Sequence, residues 1–91
     1  MTNILIRTKR ENIAHKMKSR DIDRAWWTFG ALPTKDVERV LFTDGKRVIA
    51  EGIAIGRDVE KKAIVFYPLE KVDKPLPKKA PTRGFTYVED S

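Results

Sequence analysis

Cysteine is absent from this 91-residue chain, histidine occurs once, and glycine and proline occur five times each. Without thiols there is no disulfide framework, no cysteine nucleophile and no cysteine-type zinc site, a composition that suits a reducing compartment. The scarcity of glycine and proline, beside 41% hydrophobic and 35% charged residues, excludes collagen-like, low-complexity and disordered readings. Long apolar runs are missing as well. The amino-terminal MTNILIRTKRENIA has only the stretch Asn3 to Ile6 ahead of its first charge, too short for a signal peptide or a membrane span. The expectation is a soluble cytoplasmic protein, and at this length a single domain over residues 1–91 with one small core.

What the chain has in excess is positive charge. Lysine and arginine outnumber aspartate and glutamate by 19 to 13, a net +6 with a pI near 9.8, which favours anionic partners. The excess is uneven. Residues 1–24 carry net +4, residues 25–69 net +1, residues 70–83 net +3 and the last eight net −2. Two basic segments therefore flank a nearly balanced centre, and a small fold can bring them to one face.

Asn3 to Arg7 (NILIR) suits a strand, and Thr8 with Glu11 has the Thr-x-x-Glu spacing of a capping box, so a helix is expected from about Lys9 to Ser19. Ile13 and Met17, with Ala14 beside them, make a narrow apolar stripe on it, while Arg10, His15, Lys16 and Lys18 occupy the rest. Val37 to Thr43 and Arg47 to Ile55 are β-rich runs joined by Asp44-Gly45, a two-residue hairpin signal. The second run sets Val48, Ala50, Gly52, Ala54 and Gly56 against Ile49, Glu51, Ile53 and Ile55. Its small-residue face leaves room for something bulky, first of all a packed neighbour. The charged loop Arg57 to Lys62 leads to Ala63 to Leu69 (AIVFYPL), apolar on both faces, which calls for a sheet covered on both sides or curled into a barrel. KVDKPLPKKAPT reads as an extended basic arm, and Gly84 to Val88 (GFTYV) as a closing strand. The sum is an α+β chain of about five strands and one main helix.

Both tryptophans stand side by side in RAWWTFGALP. Adjacent side chains point to opposite faces of a strand, or lie about 100° apart on a helix, so one core cannot take both rings. One is expected to anchor the core with Phe29 and Leu32, and the other to lie near a rim among basic residues.

The amino-terminal strand and basic helix, the aromatic RAWWTFGALP, the hairpin VLFTDGKRVIAEGIAI and the strand ending FYPLEKVDKPLP together resemble the PUA-like superfamily, with its ASCH, EVE and YTH branches. The resemblance spans nearly the whole chain as an order of elements. It implies a small curled five-stranded β-barrel with flanking helix, and binding of RNA or of modified bases in a cleft with aromatic walls. Some ASCH members are enzymes whose first helix carries G-x-K-x-x-E-x-R. Matching that Lys to Lys16 puts Ala14, Ser19 and Asp21 at the other positions; matching it to Lys18 puts Lys16, Asp21 and Asp23 there. The signature is not intact in either alignment.

Catalytic chemistry has little to work with. His15 lies among cations that oppose metal binding, and Asp21 and Asp23 are better explained by capping and by pairing with Arg20 or Arg24 than by a cation site. No glycine-rich phosphate loop is present. No catalytic residue, metal or cofactor is assigned. Binding is better supplied, because Lys and Arg neutralise phosphates while aromatic faces stack on unpaired bases. Lys9, Arg10, Lys16, Lys18, Arg20 and Arg24 precede Trp26 and Trp27, and Lys74, Lys78, Lys79 and Arg83 form the second basic segment. The expected function is therefore nucleic-acid binding, to RNA or to single-stranded or modified-base DNA. The assigned residues are Lys9, Arg10, Lys16, Lys18, Arg20, Arg24, Trp26, Trp27, Lys78, Lys79 and Arg83, acting in a monomer. Tyr67, Phe85 and Tyr87 are further aromatic candidates. Two alternatives stand beside it: a protein-interaction or inhibitor domain meeting an acidic partner, and an ASCH-type hydrolase using Lys16 or Lys18 with Glu38 or Glu51 as acid.

Overall fold

The computed structural model describes residues 1–18, 26–82 and 84–89. Its elements follow in the order β1 (Thr2–Arg7), α1 (Arg10–Lys18), β2 (Trp26–Thr28), β3 (Arg39–Thr43), β4 (Arg47–Asp58), β5 (Ala63–Pro75) and β6 (Phe85–Glu89). All six strands join one sheet in the order β2-β5-β4-β3-β1-β6. β1 and β3 run parallel, and the other neighbours are antiparallel. A parallel pair needs a long crossover, and α1, β2 and the loop behind them fill it.

The sheet curls into a half-barrel and does not close, which corrects the expected five-stranded barrel on two points. The sixth strand is Trp26–Thr28, which the five expected strands did not include; it pairs with β5 through Trp26↔Val65, Trp27↔Ile64 and Thr28↔Ala63. Closure requires the two edges to pair. Here β2 ends one side and β6 the other, each bonded to a single neighbour.

The long strands bend at register shifts. At the one between Val48 and Ala50 the expected alternation of β4 fails: Ile49 and Ala50 both enter one core, while Val48 enters another. The small-residue face is filled as expected at Gly52, where a Cβ would lie 2.9 Å from Phe66 Cδ2 and 3.0 Å from the Pro68 carbonyl oxygen. β5 continues to Pro75, so KVDKP is paired strand and the free arm begins at Leu76.

The β3–β4 connection has three residues, Asp44, Gly45 and Lys46, rather than two, and accompanies a register shift at Phe42/Thr43. Gly45 takes φ 100°, in the range that favours glycine. Asp44 Oδ1 accepts the amides of Lys46 (3.0 Å) and Arg47 (3.2 Å), and its Oδ2 accepts from Arg10 Nε at 2.7 Å. The Lys46 amide, then the Arg47 amide and the Arg10 guanidinium, hold the Asp44 carboxyl at about 2. This contact ties the start of α1 to the hairpin. At the helix start itself the Thr8 hydroxyl accepts from Asn12 Nδ2 at 3.1 Å, and the Lys9 carbonyl receives the amides of Asn12 and Ile13.

Alternation along β1 and β3 divides the apolar residues between two faces. Ile4, Ile6, Val40 and Phe42 look into the larger, inner core with Ile64, Phe66 and Leu69, and α1 covers it with Ile13 and Met17. Leu5, Leu41, Val48 and Val88 form the smaller, outer core beneath Val72 and Leu76. The basic helix and the basic arm thus cover opposite faces of the sheet instead of meeting on one, because each apolar face needs a cover and the chain has one connector for each.

Candidate functional site

The two tryptophans separate as neighbours on a strand must. Trp27 faces inward and packs on Phe42, ring centroids 5.0 Å apart. Trp26 takes the outer face, with Lys61 Nζ 4.1 Å from its ring centroid. The rim ring expected at the mouth and the ring expected in the core are the same residue: half-buried Trp27 anchors the core with one part and lines a cavity with another.

That cavity, about 550 Å³, lies on the inner face between the loop Phe29, Gly30, Ala31, Leu32, Pro33 and Thr34 and the ends of β1 and β6. Its lining holds four aromatic rings. Trp27 and Phe29 form one side, Phe85 and Tyr87 the other, with Phe29 edge-on to Phe85 at 5.3 Å and Phe85 edge-on to Tyr87 at 5.7 Å. Ile6 and Leu32 add to the apolar lining, and among the described residues Arg7 is the one charged group of the lining and no carboxylate belongs to it. Two further cations stand over the wall rings: Lys16 Nζ lies 5.8 Å from the Trp27 centroid and Lys35 Nζ 4.9 Å from that of Tyr87.

The loop is held in place by hydrogen bonds that sequence does not reveal. Arg57 Nη2 donates to the Pro33 carbonyl and, at 3.1 Å, to that of Lys35. The Lys35 amide donates to the Tyr87 hydroxyl at 3.3 Å, and the Phe29 amide to the Lys62 carbonyl at 2.8 Å. Arg7 Nη1 donates to the Pro81 carbonyl at 3.2 Å, which ties the far end of the arm to the cavity.

Of the residues assigned from sequence, Lys16 and Trp27 come to this cavity. Lys9 and Lys18 are exposed on or beside α1, and Arg10 is occupied by Asp44. Trp26 lies on the opposite face, and Lys78 donates to the Tyr87 carbonyl at 3.0 Å, guarding the β6 edge. Lys79 is exposed on the arm. Arg20, Arg24 and Arg83, like Asp21 and Asp23, lie outside the described residues. Lys74 is drawn into an ion pair with Glu51 at 2.8 Å, so the proposed hydrolase acid is already engaged. Arg7 and Lys35 were missed. Arg7 ends a strand and Lys35 sits in the least patterned stretch of the chain, so neither carried a signal beyond its charge.

A second recess, of about 390 Å³, opens on the outer face beside the arm. Arg39 and Lys74 there are balanced by Glu51 and Glu89, and it holds no aromatic ring. It therefore lacks both ingredients of the inner cavity. Among the described residues no three His, Cys, Asp or Glu side chains group as a metal site would require, and no helix is long and apolar enough to cross a membrane. Neither a protein family, a curated protein nor a solved structure matches this chain.

Proposed function

We propose that this chain is a small cytoplasmic nucleic-acid-binding module of PUA-like kind, which takes an unpaired or modified base into the cavity between Trp27 and Tyr87. The observation that carries this reading is the make-up of the cavity lining, four aromatic residues and Arg7, with no carboxylate among the described lining residues. A ring face stacks on any base, worth about 1–3 kcal/mol per base in single-strand binders. Arg7, with Lys16 and Lys35 over the wall rings, supplies positive charge at the mouth, where a backbone phosphate would follow the base. Net charge of +6 adds long-range attraction for the polymer. No catalytic step is assigned, because the described residues place no acid beside this cavity.

Anisotropy titrations with labelled single-stranded RNA, single-stranded DNA and duplex test the reading. Both single strands should bind at low salt more tightly than duplex. Tyr87→Leu should weaken binding about tenfold to a hundredfold through the lost stack. Arg7→Ala should reduce the salt slope by about one. An absence of binding at low salt, or affinity indifferent to both substitutions, discards the proposal.

A further inference from the structure

The recess on the outer face contains a buried amide of which the fold uses only one end. Asn3 is 4% exposed and lines that recess. Its Oδ1 accepts the Arg39 amide at 3.1 Å. Because a backbone N–H can only donate, this contact fixes which end of the side chain is oxygen and leaves the Nδ2 donor for another partner. Among the described residues Nδ2 has no acceptor, and a buried donor left unused calls for a reason. Arg39 stands beside it. The outward side chains Val88, Asn3 and Arg39 form one row across β6, β1 and β3, since Asn3 is the register partner of both others. The Arg39 guanidinium meets Glu51 at 4.0 Å, too far for a hydrogen bond. An unused amide donor and a guanidinium fork thus lie side by side, an arrangement suited to a carboxylate.

We infer that this recess binds a small apolar α-amino acid, its carboxylate on Asn3 Nδ2 and Arg39, its ammonium toward Glu51 and Glu89, and its side chain on Leu41, Val48 and Val88. Charge selects the class. Arg39 and Lys74 balance Glu51 and Glu89 around the recess, so a ligand of zero net charge that carries both signs matches it, whereas a phosphate or a polyanion meets two carboxylates. Glu51 retains the capacity to accept an ammonium. Its Oε1 takes Lys74 at 2.8 Å and faces Arg39 at 4.0 Å, which leaves Oε2 on a side chain only 13% exposed. Leu41, Val48 and Val88 belong to the outer core and give the lining its apolar part. Size agrees as well, because about 390 Å³ lies near the lower end of small-molecule sites. The recess and the aromatic cavity lie on opposite faces of the sheet, so neither site depends on the other.

Titration of the full chain with L-leucine, followed by backbone amide chemical shifts, reads this directly. The expected result is saturable binding, millimolar or tighter, with shifts at Asn3, Arg39, Leu41 and Val88. N-acetyl-L-leucine lacks the ammonium and L-leucinamide lacks the carboxylate; each should bind at least about tenfold more weakly than leucine. Asn3→Asp keeps an acceptor for the Arg39 amide but puts a second oxygen where the donor was. It should weaken leucine at least about tenfold, and so should Arg39→Gln, with circular dichroism unchanged in both variants. Tyr87→Leu, which alters the aromatic cavity, should leave leucine affinity as it is, so the two sites stand or fall separately. Absence of saturable shifts, equal affinity for the three compounds, or affinity indifferent to both Asn3→Asp and Arg39→Gln would overturn the inference.

Discussion

On its inner face the sheet carries one continuous core, roofed by Ile13 and Met17 of α1 and by Trp27, and the aromatic cavity opens beside it. On its outer face a four-residue core sits under the arm, and beside it Ile53 and Tyr67 meet solvent while Trp26 is half-buried with Lys61 over its ring. Both faces are apolar for the same reason, the pleat of strands rich in Ile, Val and Phe. What differs is the amount of chain left to cover each. The helix is a rigid cover with an apolar stripe, whereas the arm brings Leu76 and little else. Stability should therefore reside on the inner face, and the outer face should be the place where the molecule is unfinished by itself.

Substitutions graded across the two faces test that division. Phe42 is fully buried and lies 5.0 Å from the Trp27 ring and 5.6 Å from Phe66; Phe42→Ala should cost about 3–5 kcal/mol in denaturant unfolding. Gly52→Ala should cost about 1–3 kcal/mol, because the added methyl meets Phe66 and a backbone carbonyl that cannot retreat. On the outer face, Leu76→Ala should cost about 1–2 kcal/mol, since its side chain is only half-buried. Equal losses for Phe42→Ala and Leu76→Ala would break the comparison. At the uncovered end of the scale, Tyr67→Ser should shift unfolding of dilute protein by no more than about 0.5 kcal/mol.

The hairpin adds a prediction in pH. The Asp44 carboxyl titrates at about 2 in the folded chain against an ordinary 3.8. A carboxyl lowered by folding stabilises fully above its unfolded value and loses that contribution as pH falls through the folded one. Wild-type stability should thus decline between about pH 4 and pH 2, and Asp44→Asn should remove that part of the decline while leaving stability near neutral pH lower. A variant whose acid limb follows the wild type would show that the Asp44 contacts do not contribute.

Much of the secondary structure was legible because it rests on local chemistry. Ile13 and Met17 face the core, Gly45 takes the positive φ that its hairpin demands, and Gly52 makes room for an aromatic ring. Trp26–Thr28 was not legible as a strand. Three residues carry too little periodicity, and their strand character comes from pairing with Val65, Ile64 and Ala63 about forty residues on. The end of β5 was hidden for a related reason: Lys71 to Pro75 look like a solvated arm until β4 pairs with them. In the candidate site, aromatic content and positive charge could be read in advance, and of the residues assigned from sequence Lys16 and Trp27 lie close together, Lys16 Nζ 5.8 Å from the Trp27 ring centroid. Arg7 and Lys35 could not be found, since only the curl of the sheet brings a strand end and a loop to Tyr87.

Composition and local pattern by themselves determined that this chain is cysteine-free, basic, strand-rich and possessed of one amphipathic helix, because these are properties of residues and of neighbours a few positions apart. Tertiary structure alone decided which tryptophan faces the core and that the helix and the arm take opposite sides. It also decided that Arg10 is neutralised by Asp44 and that one apolar half-face is left bare. Each of those depends on register and crossover between segments distant in sequence, where a shift of one residue turns every side chain to the other face.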